Sequence, residues 1–203
     1  MISLTTAATA FAVIFPVELP DKTFIASLVL STRYRPLPVW IGVAGAFLVQ
    51  TLVAVLAGGV ISLLPRVLVL GAAAVMFAVG SVILLRGAAG ADAEAVEEQA
   101  EVGASLTDVT STRRAVTTSF LVLFAAEWGD LSQLFTVGLV ARDGDPVSVF
   151  LGAWLALAAV AGIAVLAGAT LLRFIRLSTI RRIGGVVCAI LAVLTAVEVY
   201  AAG

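Results

Sequence analysis

Six stretches of this chain, at about 3–31, 38–63, 67–86, 115–141, 146–172 and 183–201, are apolar on every side rather than along one face. A helix in a soluble core needs a single apolar stripe, whereas a helix that crosses a bilayer needs about 20 mostly apolar residues all round. The composition agrees: 62% of residues are hydrophobic, 12% are charged and the mean hydropathy is +1.16, well outside the soluble range. The pattern predicts an all-α integral membrane protein of six transmembrane helices with little chain left for a soluble domain. No Lys or Arg precedes Lys22 and the first stretch contains a charged cluster, so it reads as a retained span rather than a cleaved signal peptide.

Chemistry that needs histidine or several thiols is excluded. The chain has no His, and its one cysteine, Cys188, lies in the last stretch, so one copy can build neither a disulfide nor a thiolate metal site. Any proton-coupled step near neutral pH must therefore use carboxylates.

The loops divide the arginines unevenly. Arg33, Arg35, Arg86, Arg113, Arg114, Arg173, Arg176, Arg181 and Arg182 follow or flank spans 1, 3 and 5, and six spans put these on one face; Arg66 and Arg142 belong to the other. By the positive-inside rule the arginine-rich face is cytoplasmic and both termini lie outside, in a bacterial-type inner (plasma) membrane. The connection 87–114 carries six acids before its first base and reads as a solvated cytoplasmic linker between units 1–86 and 115–203.

Those two units repeat one another. VELPDKTF (17–24) is matched by AEWGDLSQ (126–133), with Glu18 on Glu127, Asp21 on Asp130 and Thr23 on Ser132, each 109 positions apart. Gly42 falls on Gly152 at a separation of 110, and Gly184 lies near the position of Gly71 once a small insertion is allowed. Each unit holds three spans, an odd number, so the copies enter the membrane from opposite sides. This predicts two inverted three-helix repeats, an arrangement that places a site near the midplane.

The charges inside the repeats are costly. A carboxylate at the centre of a membrane helix costs roughly 2.5–3.5 kcal/mol on insertion scales. Glu18 and Glu127 each lie roughly 20 Å along their helices from the point of entry, too deep to reach the surface. Glu and Asp three apart share a helix face. Four carboxylates with the hydroxyls of Thr23 and Ser132 form a hard oxygen cage suited to Ca²⁺, Mg²⁺ or Mn²⁺, and Gln133 adds an amide. Pro16 and Pro20 would free the carbonyls of Ala12 and Pro16 as further ligands, while Gly129 gives local freedom in the second copy. With Lys22 the set sums to −3, so cation and protons compete for the same oxygens. That competition is the thermodynamic basis of antiport.

The two segments resemble the paired E-x-G-D-(K/R)-(S/T) signature of a small family of Ca²⁺/Mn²⁺ cation–proton exchangers that includes a eukaryotic Golgi member and bacterial manganese exporters. The resemblance extends over nearly the whole chain. It implies that Glu18, Asp21, Glu127 and Asp130 bind the transported cation, Mn²⁺ or Ca²⁺, with Thr23, Ser132 and Gln133 in support. It also implies export from the cytoplasm in exchange for protons, without a prosthetic group. Two positions depart from the signature: Pro20 stands where it has glycine, and Leu131 where it has a base.

The partners expected are the cation, protons and the lipid bilayer, with no nucleic acid; a homo-oligomer is compatible with the sequence. The nearest alternative is export of small organic cations such as basic amino acids. An enzyme is not expected, since no His, reactive Cys or Ser–Lys arrangement is present to activate water. Gln50 reads as an interhelical hydrogen bond, Glu198 as a residue reaching the interface, Trp40 and Trp154 as anchors or packing residues, and the glycine clusters as sites of close helix contact.

Overall fold

A computed structural model describes residues 2–19, 22–91, 93, 111–174 and 177–202, with the backbone alone at 22, 33, 167–174, 177, 180 and 202. Among the described residues the chain is helical throughout: α1 (Leu4–Glu18), α2 (Lys22–Arg33), α3 (Pro36–Ile61), α4 (Arg66–Gly87), α5 (Thr112–Ala126), α6 (Leu131–Asp143), α7 (Pro146–Phe174) and α8 (Leu177–Ala202). Helices α3, α4, α7 and α8 are long and apolar enough to cross a bilayer, and α5 with α6 makes a fifth span if that bent pair is counted as one. Their outward surfaces carry exposed Leu52, Leu56, Val79, Ile83, Ile190 and Val193, the surface a bilayer requires and a soluble protein avoids. The protein is an integral membrane protein.

Of the six expected spans, the second, third, fifth and sixth are single long helices. The first stretch is two helices, α1 and α2, and the fourth is α5 and α6, bent by 72° at the break. Both interruptions fall on the charged segments. Pro16 does not end α1: the helical bonding continues past it, with the Leu19 amide donating to Phe15 O at 3.1 Å. The acidic linker lies, over 94–110, outside the described residues.

Close packing is concentrated where side chains are absent. Gly152 of α7 lies so near α1 that a Cβ would collide with Ala7 O and crowd Ala10, and Gly42 of α3 meets Val116 O and Ser119 of α5 in the same way. Backbones approach this closely only with glycine at the crossing. Trp40 Nε1 on α3 donates to Ala158 O on α7 at 2.9 Å, while Trp154 Nε1 on α7 donates to Ala44 O on α3 at 3.1 Å. These two indoles therefore join α3 to α7 in opposite directions. Helices α4 and α8 lie along one another, with Ser81 Oγ donating to Gly185 O at 2.7 Å.

The turn between α6 and α7 is held locally. Ser148 donates its amide to Asp145 Oδ1 at 3.1 Å, and its hydroxyl and amide together hold that carboxyl below the usual carboxylate range. The same Ser148 hydroxyl accepts from the Ser3 amide at 2.7 Å, tying the start of α1 to the start of α7.

Candidate cation-binding site

Two helices end at one place in the interior. Glu18 is the last residue of α1, and Glu127 caps the C-terminus of α5, its amide donating to Leu123 O at 3.1 Å. The final carbonyls of a helix are unpaired and carry the negative end of its dipole, so two such ends beside two carboxylates form a field that favours a cation. Both glutamates are buried, at 0% and 2% exposure, although carboxylates are rarely fully buried.

After Glu127 the chain turns through exposed Trp128 and Gly129 to Asp130, the N-cap of α6, whose carboxylate accepts from the Ser132 amide at 3.3 Å. Gly129 has φ +85°, a backbone region that side chains with a Cβ avoid. That turn folds Asp130 back toward Glu127. One carboxylate oxygen from each of Glu18, Glu127 and Asp130 then lies within 4.8 Å of the others. Three oxygens at this spacing can converge on a single ion of the Ca²⁺ or Mn²⁺ kind, because ligand distances of about 2.3–2.6 Å for Ca²⁺ put neighbouring oxygens within twice that separation.

The remaining expected residues are placed differently from one another. Thr23 is buried and donates its hydroxyl to Glu18 Oε1. Ser132 Oγ lies 3.4 Å from Asp130 Oδ2. Gln133 Oε1 accepts from the Gly129 amide at 3.1 Å, bracing the turn. Asp21 and the side chain of Lys22 lie outside the described residues.

Around the site stand Gln50, anticipated in the sequence, and several hydroxyls that were not. Gln50 of α3 donates Nε2 to Phe124 O at 2.9 Å, the interhelical bond expected of it, and thereby satisfies a carbonyl of the last turn of α5. Beside it Thr51, with Ser132, Gln133 and Thr136, lines a cavity of about 10 Å³, about the volume that holds one water. Thr136 donates to Ser132 O at 2.7 Å. The available signal was a second hydroxyl four residues after the first in each copy: Ser27 follows Thr23 and Thr136 follows Ser132, again 109 apart.

Comparison with known proteins finds relatives over nearly the whole chain. A family model described as divalent cation/proton antiporter GDT1 matches residues 6–92 and 115–203, leaving out most of the acidic linker. The chain is 29% identical over 210 residues to Protein PAM71, chloroplastic, of Arabidopsis thaliana, covering 95% of this chain and 56% of that protein. It is 30% identical over 214 residues to GDT1-like protein 1, chloroplastic, of Oryza sativa subsp. indica, covering 95% and 62%. It is 33% identical over 186 residues to a GDT1-like protein of Synechocystis, covering 88% and 90%. The chain thus spans 56% to 62% of the length of these plant relatives but most of the Synechocystis protein. No solved structure matches it.

Proposed function

Since the chain belongs to the divalent cation/proton antiporter GDT1 family, we propose that it is a secondary transporter that exports Mn²⁺ or Ca²⁺ from the cytoplasm in exchange for protons. The observation that carries this reading is the convergence of Glu18, Glu127 and Asp130, from segments 109 positions apart, on a volume fit for one small cation. Asp21 supplies the fourth carboxylate by its match to Asp130. Thr23 and Ser132 orient the carboxylates on either side, and Gln133 supports the turn.

The cycle follows from charge. A divalent ion neutralises two of the carboxylates, and protons neutralise them when the ion leaves; each loaded form crosses at a lower dielectric cost than the empty, charged form. Cation and proton are thereby exchanged through the same oxygens. The 4.8 Å spacing and the small adjoining cavity favour a compact ion over an organic ammonium.

The architecture we propose is two inverted repeats, 1–86 and 115–203, joined by the cytoplasmic acidic linker 87–114, with α1–α2 and α5–α6 as the broken first span of each. The matched approaches of Gly42 to Val116 and Gly152 to Ala7, related by 109 to 110 positions, support this. The nine arginines support an orientation with both termini outside.

The test is divalent-cation flux in proteoliposomes with an imposed pH gradient, recording internal pH, with Mn²⁺ and Ca²⁺ in parallel and Glu18→Gln as control. Cation-dependent proton movement that is lost in the variant supports exchange and ranks the ions. Acidification should weaken cation binding, and an affinity unchanged between about pH 5 and 8 would refute competition at these carboxylates.

A further inference from the structure

Helix packing is matched between the two halves except at one pair. Helix α1 lies on α7 as α5 lies on α3; α6 lies on α3 as α2 lies on α7; α1 meets α6 as α5 meets α2. Helices α4 and α8 break the match. Among the described residues α4 packs on α6 and α8 on α1, while the exchanged pairs, α8 with α2 and α4 with α5, do not form packed interfaces. Now α1 and α6 are the half-spans on the side of the chain termini, and α2 and α5 are those on the arginine-rich side. Among the described residues the α4–α8 pair thus packs on the half-spans of the terminus side, while Ala91, beyond the end of α4, is buried with Phe24 and Ile25 of α2.

At the closed end two helices are joined by charge. Arg142 of α6 donates Nη2 to Glu198 Oε1 of α8 at 2.7 Å and Nε to Oε2 at 3.4 Å, a two-point guanidinium–carboxylate pair. The pair sits in a polar cleft of about 430 Å³ that Arg66 at the start of α4 and threonines of α1 also line. One turn further in, Thr195 of α8 is fully buried and its hydroxyl has no hydrogen-bond partner among the described residues. A buried hydroxyl left unpaired is disfavoured, and Thr195 shares a helix face with Glu198.

We propose that the Arg142–Glu198 pair is the latch of a gate on the side of the termini. Release of the latch, with α8 moving toward α2 and α4 toward α5, opens the side of the termini. The inference rests on the inverted-repeat reading above and adds to it a pair of gating residues. It also explains which form is favoured. Arg142 matches Arg33 at a separation of 109, but the position matching Glu198, by the separation of Gly71 from Gly184, is Leu85, with Arg86 beside it. Closure on the arginine-rich side has no acid at that position to receive Arg33. The latch biases the equilibrium toward the closed outer side.

The test uses the full chain in vesicles, with Thr195→Cys and a membrane-impermeant maleimide applied from the side of the termini. Peptide mass spectrometry separates label on the introduced thiol from label on the native, buried Cys188. Labelling of Thr195→Cys should be slow with the latch intact and about fivefold faster with Glu198→Gln or Arg142→Gln, the shift expected from a pair worth about 1 kcal/mol. The charge exchange Arg142→Glu with Glu198→Arg should restore slow labelling, which a general loosening of the fold would not. Equal rates with and without the latch, or fast labelling with it intact, would overturn the proposal. No cargo is needed for this readout, so a failure of the gate and a failure of the Mn²⁺/Ca²⁺ reading are separately visible.

Discussion

In the first charged segment the chain leaves α1 at Glu18 and is helical again from Lys22, and the hydroxyl of Thr23 reaches back to the glutamate. The second segment contributes the same residue types at the same spacing, yet its hydroxyl, Ser132, serves the aspartate, and its bend depends on Gly129 at positive φ with Gln133 bracing the turn. One segment carries prolines and a lysine; the other carries a glycine and, in place of the lysine, Leu131. What the two segments share is the delivery of a carboxylate to the end of a helix, Glu18 on α1 and Glu127 on α5. The glycine turn of the second segment has no glycine counterpart in the sequence of the first.

The sharpest way to break the comparison is to neutralise each copy in turn. Glu18→Gln and Glu127→Gln should each lower cation-dependent proton flux by about 100-fold or more, since each removes a buried ionic partner worth about 3 kcal/mol, while leaving membrane insertion intact. Asp21→Asn and Asp130→Asn should behave alike. Loss in one copy with full flux in the other would mean that the two segments do not share one ion.

Smaller effects test the scaffold. Gly42→Ala and Gly152→Ala place a Cβ against the backbone of α5 and α1 and should each destabilise by about 1–3 kcal/mol in thermal unfolding of detergent-solubilised protein. Gly59→Ala, with open space at its Cβ position, is the control and should be near neutral. A large difference between Gly42→Ala and Gly152→Ala would show that the matched crossings are not energetically matched.

The smallest expected effect concerns the indoles. Trp40→Phe and Trp154→Phe each delete one hydrogen bond between α3 and α7, about 1 kcal/mol apiece. The double variant should be additive within error if the two bonds report independently on the crossing.

Much of this was legible in the chain. The positions of α3, α4 and α7 follow from unbroken apolar runs, because lipid demands hydrophobicity all round and leaves a strong signal. Glu18, Glu127 and Asp130 stood out because charge in such a run is costly, and Gln50 because a buried amide in a span needs a partner. The interruptions of the first and fourth spans were less visible. Apolar residues on both sides of a break keep the hydropathy continuous, so composition alone does not register the bend.

Glu198 shows the limit most clearly. Near the end of the last span it reads as a side chain reaching for water, and only the fold brings Arg142 of another helix to it. Gln133, expected to support the site, also accepts from the Gly129 amide, a bond that depends on the bend between α5 and α6. The sequence by itself determined the membrane class, the repeated carboxylates and the family, since each depends on residue type and spacing along one chain. The tertiary structure alone decided which oxygens converge, which amide Gln133 serves and on which side α4 and α8 close, because those depend on distances between helices far apart in sequence.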